Sequence, residues 1–321
     1  MLEAQAARMD AFAESVAEEL VANIADHGAD LARECAARYP LELLSRILDL
    51  PAEMRGDFAR NYWRMQRGIS WRPDLQSDGE RALNDMVALL GPLVDQRRDN
   101  PGDDLISAAV GLELEDGPVT VHDVVTTLLE GDHETLHGAL ANLWFLLLTH
   151  PDEFEKARSE RRLLKLAYLE ALRHSAPVLS ASRFARHEVE RFGKLIPEGA
   201  LMVCSAAAAN RDPRIFNDPD EFVVDRRDMC QREPRGMYRA DGLASGITFG
   251  LGKPSKHPAI PEDRPRSLYA LTRDTAVTAS SVVLEALENI RLEPGAKPYL
   301  TALTIGEMHT CWKLPAHFSK K

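Results

Sequence analysis

Little in the chain could serve as a covalent or metal scaffold. Its four cysteines, Cys35, Cys204, Cys230 and Cys311, lie far apart without metal-type spacing, so they read as reduced thiols rather than as a disulfide framework. Positive charge is also in deficit: 39 Lys and Arg face 50 Asp and Glu, a net charge of −11, which gives nucleic acid or an anionic membrane no electrostatic reason to bind. No apolar run approaches the roughly 20 residues of a membrane span. The N-terminal Met1-Leu2-Glu3-Ala4-Gln5 lacks the basic-then-apolar order of a secretory signal. Internal repeats and low-complexity tracts are missing too. Together these absences predict a cytoplasmic protein with no nucleic-acid or membrane partner, and they leave its oligomeric state open.

What is present points to helices. The chain has 321 residues, 45% of them hydrophobic, enough to bury a large core. Met9, Phe12, Val16, Leu20 and Val21 repeat at helical spacing, predicting an amphipathic helix from about residue 4 to 25. Further helices are expected over 31–48, 54–69, 78–98, 121–150 and 152–173. Thr120-Val121-His122-Asp123 forms a capping box that opens the helix over 121–150. From Pro177 the pattern changes to short β-like runs such as Leu201-Met202-Val203-Cys204, then to a loop-rich stretch, a helix over 267–287 and short strands near 290–292 and 309–312. The expected fold class is mainly α with a minor β region. We expect a single domain over 1–321, mostly helical in 1–176 and mixed β and loop with a late helix in 177–321.

Several segments, in order and with matching gaps, carry a family likeness. They are Pro101-Gly102-Asp103-Asp104-Leu105, Gly131-Asp132-His133-Glu134-Thr135, His150-Pro151-Asp152, Glu170-x-x-Arg173, Asn210-Arg211-Asp212-Pro213, Arg226 and Phe249-Gly250-Leu251-Gly252. The chain resembles the bacterial, soluble cytochrome P-450 superfamily, which implies a cytochrome P-450-like fold. It is similar to a degenerate, N-terminally truncated member. In the family, Glu170, Arg173 and Arg226 would form a buried salt-bridge triad. The haem loop would read Phe-Gly-x-Gly-x-His-x-Cys-x-Gly, its Cys thiolate binding the iron. Here Phe249, Gly250 and Gly252 are kept, but Lys256 stands in the ligand position, Pro254 in the His position, and Pro258 in the place of the last Gly. An amine is a hard, normally protonated group, unlike the thiolate that drives oxygen–oxygen cleavage. Pro258, Pro261 and Pro265 further oppose the helix that follows in the family.

Candidate chemistry follows from that departure. Asp132 falls in a helical stripe with Leu128, Leu129, Leu136, Ala139 and Leu143, so its carboxylate is expected on an apolar face, where desolvation raises a carboxyl pKa and suits it to acid–base work. By the resemblance, Asp132 occupies a Gly position against the porphyrin, and Glu134 and Thr135 would relay protons. His133-Glu134-Thr135-Leu136-His137 also spells His-Glu-x-x-His, a zinc-hydrolase pattern. At about 100° per residue, however, His133 turns about 200° away from Gly131. No cofactor is the favoured expectation. The alternatives are haem through His257 and zinc through His133 and His137.

The resemblance implies a haem-free P-450-like protein of secondary metabolism, no longer a monooxygenase. One expectation is an auxiliary partner of a biosynthetic enzyme, similar to the haem-less P-450-like proteins that activate glycosyltransferases. Another is a repurposed isomerase, cyclase or hydrolase that holds a small apolar metabolite beside Asp132. A third is an oxidoreductase with a non-Cys haem ligand.

Overall fold

The structure, a computed structural model, describes residues 2–69, 72–115, 117–129, 133–229, 268–302 and 308–321. The first half is helical: α1 (Leu2–Asn23), α2 (Tyr39–Ile47), α3 (Ala52–Gly68), α4 (Pro73–Asp99), α5 (Leu105–Val110), α6 (Val121–Leu129), α7 (His133–Thr149), α8 (Pro151–Ser159) and α9 (Arg161–His174). Between α1 and α2 lie the short strand β1 (Gly28–Asp30) and a π-helical turn, Ala32–Ala36. A two-residue hairpin, β2 (Glu113–Leu114) with β3 (Gly117–Pro118), precedes α6. The second half holds β4 (Ser180–Phe184), β5 (Val189–Arg191), β6 (Lys194–Ile196), β7 (Leu201–Ser205), α10 (Ala206–Asn210), α11 (Leu268–Ala286), β8 (Leu287–Leu292), β9 (Tyr299–Ala302), β10 (His309–Lys313) and β11 (Pro315–Lys320).

The most apolar helix, α7, runs through the centre. From Leu136 to Leu148 nearly every side chain is buried, against α1, α9 and α11. Trp144 shows how this core handles a polar atom: its indole N–H donates to the Ser280 hydroxyl at 3.0 Å. Asn142 ties the sheet region to the helix, because its amide donates to the carbonyls of Ser175 and His309 and its oxygen accepts from the Cys311 N–H, all within 2.8 Å. A second apolar cluster fills the space between α3, α4 and α6, around Phe58, Tyr62, Met86, Leu90 and Val125. Here Gly68 and Gly79 let two backbones meet. A Cβ on either would sit 2.6 Å from the other's Cα, closer than side chains pack.

Strand pairing closes the chain on itself. β11 lies between β1 and β8, antiparallel to both, with Gly28 opposite His317 and Ala316 opposite Leu292. The remaining sheets are two-stranded ribbons, β10 with β9, β4 with β7, and β5 with β6.

The mainly α class with minor β holds, but some boundaries are corrected. The helix expected over 31–48 starts later, because strand β1 and the π-turn occupy 28–36. The helix expected from 78 begins at Pro73, a proline that the first turn tolerates since its missing N–H has no intrahelical partner there. The helix expected over 152–173 is divided at Glu160, whose φ of −148° and ψ of 136° are extended. Helix is observed on both sides of residues 130–132, which lie outside the described residues, within the helix expected over 121–150. The Thr120 capping box forms fully: the Thr120 hydroxyl accepts from the Asp123 N–H at 3.2 Å, and the Asp123 carboxylate accepts from the Thr120 N–H at 2.8 Å.

Candidate functional site

The first turn of α7 carries Glu134 and Thr135 and faces α3. One oxygen of Glu134 accepts from the Tyr62 hydroxyl at 2.8 Å and from the Gln66 amide at 3.3 Å, and Gln66 in turn donates to the Tyr62 oxygen at 3.1 Å. Tyr62 and Gln66 are one turn apart on α3, so a single helical face supplies both donors. The carboxylate is thereby fixed beside half-buried Thr135. Gly131 and Asp132 lie outside the described residues. Of the stripe predicted around Asp132, Leu128, Leu136, Ala139 and Leu143 are buried.

The two imidazoles of the His-Glu-x-x-His pattern face aromatic rings. His133 meets the Tyr62 ring edge-on at 5.8 Å. His137 is clamped between Trp63 at 5.6 Å and Trp312 at 5.4 Å, and its Nδ1 has no hydrogen-bond partner among the described residues. Burial pushes both pKa values down to about 4, so both rings are neutral at pH 7. Each ring is thus held by packing. Among the described residues, no three His, Cys, Asp or Glu side chains gather as a metal-binding group.

Glu170, Arg173 and Arg226 come together where α9 meets the segment after α10. Arg173 makes a two-pronged pair with Glu170, both contacts 2.7 Å, and the Arg226 Nε reaches Glu170 at 3.1 Å. The remaining guanidinium N–H groups are used on backbone: Arg173 donates to the carbonyls of Asn210, Pro219 and Glu221, and Arg226 to those of Asn217, Asp218 and Glu221. The Val223 N–H also donates to Glu170. The network therefore pins the turns of residues 210–226 to α9. Its role is architectural, since every donor is already engaged.

A haem-thiolate needs a deprotonated sulfur, and no described residue supplies one. Burial pushes the Cys35 thiol up to about 12, Cys311 is buried in β10 and donates to the Lys313 carbonyl at 3.3 Å, and Cys204 sits exposed on β7. Cys230 and the residues of the altered loop, Phe249, Gly250, Gly252, Lys256 and His257, lie outside the described residues. The ligand position implied by the resemblance, Lys256, is among those residues.

A different kind of site lies on the surface. The β4–β7 ribbon places Phe184 opposite Leu201 and Ser182 opposite Val203, and Phe184, Leu201 and Val203 are 68%, 59% and 61% exposed. At the tip of the neighbouring β5–β6 hairpin, Phe192 is 99% exposed and takes a φ of +53°, followed by Gly193 at +68°. Such a turn normally uses Asn-Gly, because a bulky residue at positive φ is strained. Sequence reading placed the β-like run Leu201-Met202-Val203-Cys204, which lies in β7 here, but missed its pairing with β4 and its exposed apolar face. It also missed Tyr62, Trp63, Gln66 and Trp312, whose partners on α7 lie too far along the chain for local spacing to reveal.

Comparison with known proteins adds the following. The cytochrome P-450 family model matches residues 103–231. The chain is similar to the 6-deoxyerythronolide B hydroxylase of Saccharopolyspora erythraea, 31% identical over 246 residues, 75% of this chain and 58% of the hydroxylase. The chain thus spans less than two thirds of that relative. Among solved structures, the ligand-free cytochrome P-450 TbtJ1 superposes with a TM-score of 0.80 at 22% identity, covering 99% of this chain and 78% of that one. PksS, the cytochrome P-450 of the bacillaene polyketide synthase of Bacillus subtilis, gives a TM-score of 0.76 at 22% identity over 99% and 78% of the two chains. No described helix is long and apolar enough to cross a membrane.

Proposed function

The chain belongs to the cytochrome P-450 superfamily, and from that premise we propose that it works without haem, as an auxiliary partner of a secondary-metabolic enzyme such as a glycosyltransferase. The observation that carries the reading is Lys256 in the place of the ligand sulfur, with no described cysteine suited to replace it. Relatives named for a 6-deoxyerythronolide B hydroxylase and a bacillaene polyketide synthase support secondary metabolism as its setting. The partner role is supported by the exposed apolar ribbon of Phe184, Leu201 and Val203 with Phe192 beside it, because a soluble surface rarely keeps such residues together without covering them. The Glu170 network supports a fold kept for its shape.

Purification from the native host tests this. A biosynthetic enzyme should co-elute at fixed stoichiometry with the tagged chain and be lost from the Phe192→Asp, Leu201→Asp double variant. Elution of the wild-type chain alone, under conditions where the pathway is active, contradicts the partner role.

A second reading is favoured by one observation, the immobilised Glu134 carboxylate beside Thr135 at the start of α7. In it the chain is a non-redox isomerase, cyclase or hydrolase of a small apolar metabolite, with Asp132 moving the proton. Asp132→Asn then abolishes turnover, and unchanged turnover sinks the assignment.

A further inference from the structure

Beside the first turn of α7 the fold contains a cavity of about 330 Å³. Its walls come from α1, α2, α5, α6 and α7, with Leu43, Leu44, Ile106, Val124, Leu128 and Leu136 among the buried side chains that form them. Very few polar groups reach it. Asp123 is already committed to the Thr120 capping box, Thr127 stands at the exposed lip, half-buried Thr272 reaches it from α11, and His133 projects from the first turn of α7. The His133 ring makes no hydrogen bond among the described residues; only its edge-on contact with Tyr62 holds it. The mouth is apolar too: Leu112 and Leu114, on and beside the short β2 strand, line it while remaining 44% and 43% exposed.

We propose that this cavity is a second binding site, for a small uncharged apolar molecule that carries one hydroxyl or carbonyl oxygen and pairs it with the imidazole of His133. Three features define that chemistry. The volume is within the range of small-molecule pockets, which start near 300 Å³. An engineered apolar cavity of about 150 Å³ takes benzene, so this one accepts a fused two-ring or similar skeleton. Among the described lining residues His133 sets the orientation, with the hydroxyls of Thr127 and Thr272 the other neutral polar groups, since a neutral imidazole offers one donor and one acceptor nitrogen. An anionic ligand is disfavoured because burial holds His133 neutral and no cationic side chain lines the walls among the described residues. The exposed leucines at the mouth gain apolar contact when such a ligand enters, which gives their exposure a use.

The site is independent of haem and of any partner, so its test is as well. The full-length chain is titrated with 1-naphthol and with naphthalene, followed by calorimetry or ligand-observed NMR. We expect saturable one-to-one binding of both. His133→Leu should weaken 1-naphthol about 2–10-fold, the range of one hydrogen bond, and leave naphthalene unchanged. Leu128→Trp, which fills the cavity, should weaken both at least tenfold. Because that core change may prevent folding, Thr127→Trp at the exposed lip provides the same obstruction without touching the core. Absence of saturable binding to the folded wild-type chain overturns the proposal. So does binding that neither tryptophan variant weakens, which would put the probe in another cavity.

Discussion

The Glu170 network and the β4–β7 ribbon treat their side chains in opposite ways. Around Glu170, three buried charges make seven hydrogen bonds with six backbone groups, and these bonds fix the turns that carry them. On the ribbon, Phe184, Leu201 and Val203 project into water from strands that, among the described residues, belong to no larger sheet. A two-stranded ribbon is marginal alone, and its unpaired edges invite association. The difference is one of satisfaction: the network is satisfied internally, whereas the apolar face of the ribbon is left exposed among the described residues, where the proposed partner would cover it.

Breaking the network should produce the largest effect. Glu170→Gln leaves Arg173 buried without its counter-charge and Arg226 with Asp228 alone, and should cost about 3–5 kcal/mol, read from urea unfolding. Acidification comes next. His137 has an ordinary pKa of 6.5 that burial lowers to about 4 in the folded chain. The unfolded state therefore binds the extra proton in that window, so stability is fully present above pH 6.5 and lost as pH falls towards 4. The size is about 3 kcal/mol for this residue, and a His137→Phe variant should show a correspondingly flatter pH dependence. Gly79→Ala forces a Cβ onto the Gly68 backbone and should cost about 1–3 kcal/mol in the same unfolding assay. The smallest stability change is expected on the other side of the comparison. Phe192→Asn replaces a strained, fully exposed residue by one that tolerates positive φ, so stability should stay the same or rise by up to about 1 kcal/mol. Partner capture should nevertheless fall. A loss of several kcal/mol there would mean the hairpin tip packs internally, and the contrast would fail.

How far the sequence could be read depended on whether the signal was local. Amphipathic spacing gave α1, and the hydroxyl–carboxylate pair at Thr120 and Asp123 gave the start of the helix over 121–150 with a cap that the hydrogen bonds reproduce. The break at Glu160 had no glycine or proline to announce it. β11 carried a weak alternation, Ala316 and Phe318 buried between less buried neighbours, and it was overlooked because its partners, β1 and β8, come from distant parts of the chain. The same limit applies to the site. Glu134 and Thr135 were visible as residues, but their environment depends on Tyr62 and Gln66, 72 and 68 positions from Glu134. The aromatic clamp on His137 joins α3, α7 and β10. Its consequence, two neutral imidazoles where a zinc motif could be spelled, follows from packing and not from spacing.

The most direct test is the absorption spectrum of the purified chain after haem-supplemented expression, recorded with and without carbon monoxide under reduction and accompanied by metal analysis. The account predicts no Soret band and no stoichiometric iron. A Soret band that moves on carbon monoxide binding to the position typical of thiolate-bound haem would contradict it, because a sulfur of this chain would then be holding the iron.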